Sequence, residues 1–65
     1  MSLDEFENKL MDYLINRKTA ATIKQIAKYF IRGESYVSKT LKVLHDRGLI
    51  DVITAGKTKF YVVKQ

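Results

Sequence analysis

The sequence has no cysteine, one histidine and three glycines. Without cysteine, neither a disulfide framework nor a thiolate metal site can brace the fold. His45 has no acid or nucleophile at a helical spacing that would give it catalytic work, and the acids cluster near the start of the chain. Catalysis needs convergent groups with tuned pKa values in a pocket, so no enzyme is expected, and no cofactor or metal with it. Gly56 is a lone turn glycine and makes no phosphate-cradling loop. No apolar run is long enough to span a bilayer, and the first residues are acidic where a signal peptide would be basic. A soluble, cytoplasmic protein is the expectation, nucleoid-associated in a bacterium or archaeon. There is also no internal repeat, low-complexity tract or linker, so the 65 residues read as one domain.

The chain is well supplied with apolar residues, at 46%, which is enough for a folded core and argues against disorder. Its net charge of +5 is unevenly spread. Residues 1–18 hold three basic and four acidic side chains, whereas residues 19–65 hold nine basic and three acidic ones. A basic body behind a near-neutral first segment points to a polyanionic partner on one side.

Hydrophobic periodicity predicts three helices followed by a hairpin. The first helix is expected over about 3–16, opened by Ser2 and Glu5 at capping-box spacing. Leu3, Phe6, Leu10, Tyr13 and Leu14 share its apolar face. Met11 and Ile15 widen that face and are candidate dimer contacts, either for a second copy or for a partner regulator. Thr19–Ala21 form a short connection or brief strand. Thr22 and Gln25 repeat the capping-box spacing before a second helix over 23–30, whose inward residues are Ile23, Ile26, Ala27 and Phe30.

A break at Ile31-Arg32-Gly33 precedes a third helix over 34–47. Val37, Leu41 and Leu44 point inward with Thr40 beside them, and Ser35, Ser38, Lys39 and Lys42 point outward. Gly48 stands where a left-handed residue ends a helix, and Leu49 supplies the apolar clasp. Beyond it the period shortens: 49–54 and 58–63 are rich in β-branched and aromatic residues around Gly56. Both faces of this hairpin carry apolar residues, so the pattern leaves open whether Tyr61 and Val63 or Phe60 and Val62 face the core.

The fold class is therefore mostly α with a C-terminal β-hairpin, a three-helix winged helix-turn-helix domain. The run Ile26-Ala27, then Tyr36-Val37-Ser38-Lys39-Thr40-Leu41-Lys42, then Leu44 and Arg47-Gly48-Leu49-Ile50 resembles winged helix-turn-helix transcriptional regulators of the MarR-like and ArsR-like groups. The resemblance covers Thr22 to Val63. It departs in the turn, where the family often has glycine at the position of Ile31 and an aliphatic at that of Arg32. What it implies is double-stranded DNA binding in transcriptional control, with the third helix in the major groove. Ser35, Tyr36, Ser38, Lys39 and Lys42 would meet base edges and the groove, and Lys24, Lys28, Arg32, Lys57 and Lys59 would meet phosphate.

Set against this, outward lysines are also what any solvated helix shows, and Tyr29 and Tyr36 flank apolar faces as packing residues with wet hydroxyls. Two other functions fit the same fold: a protein-interaction module using α-helical residues Met11 and Ile15 or the outer hairpin face, and RNA binding. The second lacks the aromatic platform that single-strand readers show.

Overall fold

The computed structural model describes residues 3–64. Helix α1 spans Glu5–Asn16, α2 Ile23–Phe30 and α3 Glu34–Asp46, and strands β1 Ile50–Ala55 and β2 Thr58–Val63 follow. This is three helices and an antiparallel wing, the winged helix topology. No helix among the described residues is long and apolar enough to cross a membrane.

Helix α1 begins later than the sequence pattern suggests. Ser2 lies outside the described residues, and the capping box is made by Asp4 and Glu7. Asp4 Oδ1 accepts the Glu7 N–H at 2.8 Å, and Glu7 Oε1 accepts the Asp4 N–H at 2.9 Å. Asp4 with Glu7 has the same spacing as Ser2 with Glu5. Glu7 lies on the buried side, with Arg47 4.0 Å away, whereas Glu5 points outward to Lys9 at 3.1 Å. Inward from there Phe6, Leu10 and Leu14 are buried, and Leu3, Met11 and Tyr13 pack against them. Of the two candidate dimer contacts, Met11 packs against the domain's own core and Ile15 is 59% exposed.

Helix α2 opens at Thr22, whose Oγ1 accepts the Gln25 N–H at 3.1 Å while Gln25 Oε1 accepts the Thr22 N–H at 3.0 Å. It closes at Ile31, with φ 54° and ψ 53°. The Ile31 N–H donates to the Lys28 carbonyl at 3.4 Å and the Arg32 N–H to the Ala27 carbonyl at 3.0 Å. These two bonds are the Schellman pattern, which satisfies the last carbonyls of a helix. Helix α3 ends in the same way one residue earlier than expected, at Asp46. Gly48, at φ 75°, donates to His45, and Leu49 donates to Leu44.

The strands pair in register from Ile50 with Val63 to Ala55 with Thr58, so β1 runs one residue later than the pattern suggests. Gly56 and Lys57 make the turn, with positive φ at Gly56 alone, as a two-residue II′ hairpin requires. Ala21 exchanges two backbone hydrogen bonds with Tyr61, at 3.0 and 2.7 Å, and flanks β2 on the side away from β1. That bridge and the burial of Ile50 and Tyr61 decide the hairpin's orientation: Tyr61 and Val63 face the core, and Ile53 and Phe60 face out.

Leu10, Ile26, Val37, Leu41, Leu44 and Ile50 are the largest fully buried side chains, one or more from every helix and from β1. Each contributes about 1.5–3 kcal/mol of apolar burial. In a domain this short, total stability is of the order of a few such contributions. The core therefore holds α3 rigidly by one side and leaves its other side outside.

Candidate nucleic-acid interface

Successive turns of α3 bring Ser35, Ser38, Lys39 and Lys42 to one exposed stripe, opposite buried Val37, Thr40, Leu41 and Leu44. Three shallow depressions adjoin along this stripe. The first is lined by Ser35, Ser38, Lys39 and Lys42 together with Ile23 at the start of α2. The second is the notch between α3 and the hairpin, where Lys42 and His45 face Lys59 and Thr54. The third joins Thr22, Ile23 and Lys24 to Lys57, Thr58 and Lys59 of the wing. Shared lining residues make them one surface: Ser38 and Lys42 link the first to the second, Lys59 the second to the third, and Ile23 the third to the first.

The electrostatics of this surface are one-sided. Lys24, Lys39, Lys42, Lys57 and Lys59 come from α2, α3 and the wing, and Glu34 is the carboxylate among the residues lining it. None of these five lysines makes an ion pair with a carboxylate among the described residues. Such a surface attracts a polyanion over its whole width. Among the described residues no group of three His, Cys, Asp or Glu side chains is placed to hold a metal ion.

Three of the expected contact residues lie elsewhere. Lys28 is exposed on α2 but lines none of the three depressions. Tyr36, 44% exposed, turns to the α1 side, where its ring lies 5.0 Å from that of Phe6. One residue along a helix rotates the side chain by about 100°, enough to take Tyr36 off the stripe that Ser35 leads. Arg32 follows it, with its guanidinium over both rings.

Sequence reasoning missed His45, Ile23 and Thr58. The signal for His45 was present, since it follows Lys42 by three residues on the same outward stripe. It also overlooked an aromatic assembly. Tyr36, Phe6, Phe30, Tyr13 and Tyr29 form a continuous chain of rings, with neighbouring centroids 4.4–5.6 Å apart. The rings are brought together from three helices, engage mainly one another, and lie on the α1 side of the domain, off the lysine surface. No known family model matches the chain, and no curated protein matches its sequence.

Proposed function

We propose that this domain binds double-stranded DNA as a small transcriptional regulator, with α3 in the major groove and the β1–β2 wing against the flanking backbone. The observation that carries this reading is the convergence of lysines from α2, α3 and the wing on one surface. An α-helix with its side chains is about 10–12 Å across, matching a major groove about 12 Å wide. Ser35, Ser38 and Lys39 then meet base edges, with Lys39 suited to guanine. Lys24, Lys42, Lys57 and Lys59 neutralise phosphates and set the register. The site of action is wherever the cell's DNA lies, the cytoplasm or nucleoid in a bacterium or archaeon.

Titrating isotope-labelled protein with duplex DNA tests this reading by amide shift mapping. Ser35, Ser38, Lys39, Lys42, Lys57 and Lys59 should move while Asp12 and Ile15 stay. Shifts confined to α1, or a preference for RNA hairpins over duplex in competition, would overturn it.

A second reading, a protein-interaction module, is favoured by the outer hairpin face. Ile53 is 52% exposed there and pairs across the strands with Phe60. In that case Ile53→Lys abolishes association with a partner protein, and the wild type shows no salt-dependent binding to duplex.

A further inference from the structure

Side chains from α1, from α3 and from the turn between α2 and α3 meet beside the start of α3. The Arg32 guanidinium sits 5.5 Å from the ring centre of Phe6 on α1 and 5.4 Å from that of Tyr36 on α3. The two rings are themselves 5.0 Å apart and tilted by 38°. Stacking engages the flat face of a guanidinium and leaves its rim of N–H donors free.

What sets Arg32 apart is that this rim has no partner. Among the described residues its guanidinium makes no hydrogen bond and no ion pair. Arg17 is also stacked, over Tyr13, yet its N–H groups are taken by Tyr13 Oη at 2.8 Å and by Thr19. Arg47 faces Glu7. Asp4, Glu5 and Lys9 line the same depression as Arg32, but Asp4 caps α1 and Glu5 pairs with Lys9. A planar cation is thus held at the rim of α3 with its donors uncommitted.

The seating of α3 supplies the occupant. A recognition helix lying in the major groove is bordered by a phosphate strand on each side, so a cation beside its first turn lies next to a DNA backbone. We infer that Phe6 and Tyr36 are positioning residues that hold Arg32 as a clamp for a DNA backbone phosphate. This rests on the duplex-binding reading. It adds α1 to the interface through a side chain that itself touches no DNA, and it turns Tyr36 from a groove contact into a support.

Duplex affinity measured against salt concentration, with an NMR readout of the free protein, tests the clamp. Phe6 is buried and its removal threatens folding, so Tyr36 carries the test. Arg32→Gln should flatten the slope of log affinity against log salt by about 0.9, one phosphate's worth. Tyr36→Leu removes no charge, yet it should flatten the slope by more than half as much, whereas Tyr36→Phe should keep it. The double variant Arg32→Gln/Tyr36→Leu should bind no more weakly than Arg32→Gln alone. In the free protein the Arg32 Nε–H resonance should lie upfield under the rings and return downfield in Tyr36→Leu.

An unchanged slope in Tyr36→Leu, additive losses in the double variant, or an unshifted Arg32 resonance each overturn the positioning role. If inorganic phosphate alone moves that resonance as the duplex does, the site is a free-anion site and the backbone assignment fails. Wild type that binds no duplex sinks the clamp together with the reading beneath it. Wild type that binds while Arg32→Gln matches it in slope sinks the clamp alone.

Discussion

Ile31 closes α2 in the same left-handed backbone conformation with which Gly48 closes α3. Both residues donate to the carbonyl three positions back, and the residue after each donates five back. The difference is steric. Left-handed backbone costs an L-residue about 1–2 kcal/mol, and glycine nothing. Ile31 is β-branched, which makes it one of the least tolerant residues there, and its side chain is 90% exposed, so burial returns nothing.

Ile31→Gly should therefore stabilise the domain by about 0.5–1 kcal/mol, after allowance for the greater freedom of glycine in the unfolded chain. In a domain of this size that raises Tm by roughly 2–8 °C. Gly48→Ala should do the reverse by about 1 kcal/mol, through backbone strain alone, since beyond its chain neighbours no atom lies within 4 Å of the added Cβ. Thermal denaturation followed by circular dichroism reads both. A lower Tm for Ile31→Gly would mean that this isoleucine has a packing role that its exposure conceals.

Glu7 joins the first turn of α1 to the end of α3. It closes the capping box with Asp4 and lies 4.0 Å from Arg47, with its side chain largely shielded from water. Glu7→Ala should cost about 1–2 kcal/mol, the worth of a helix cap whose groups are partly buried. Glu5→Ala, on the exposed side, should cost under about 0.5 kcal/mol. Urea titrations that rank the two the other way would argue for Ser2 with Glu5 as the cap.

His45 stands in the notch between α3 and the wing, across from Lys59 and one turn beyond Lys42. His45→Glu places a negative charge where the reading puts a DNA strand, and it should weaken duplex binding roughly tenfold at low salt, an effect of about 1.4 kcal/mol. Its exposed position in the last turn of α3, beside Asp46, predicts only a small fall in Tm, since a carboxylate there opposes the helix dipole. Equal affinity for the variant, measured by fluorescence anisotropy, would move the DNA path out of the notch.

Much of this architecture is legible in the residues, and the parts that are not share a cause. Thr22 and Gln25 announce α2, Gly48 and Leu49 announce the end of α3, and the lysine stripe follows from a period of 3.6, because all of these are local rules. The start of α1 is read from Ser2 with Glu5, but Asp4 with Glu7 has the same spacing and makes the capping box, and Ser2 lies outside the described residues. The wing's core face was unreadable from two apolar faces; it is set by Ala21, forty residues from its partner Tyr61. The break at Ile31–Gly33 was legible, but the left-handed backbone at Ile31 was not, because an isoleucine stands where that conformation disfavours it. Tyr36 looked like a groove residue because its partner Phe6 belongs to a different helix.

The central claim is that α3 and the wing, not α1, meet a polyanion, and one salt titration separates them. Duplex affinity should fall linearly in log–log form with a slope of about −4 to −5 for the five phosphates met by Lys24, Arg32, Lys42, Lys57 and Lys59. Lys42→Gln with Lys57→Gln should flatten that slope by about 2, and Lys9→Gln with Lys18→Gln should leave it within about 0.3. Equal losses from both pairs, or wild-type binding that ignores salt, would contradict the account.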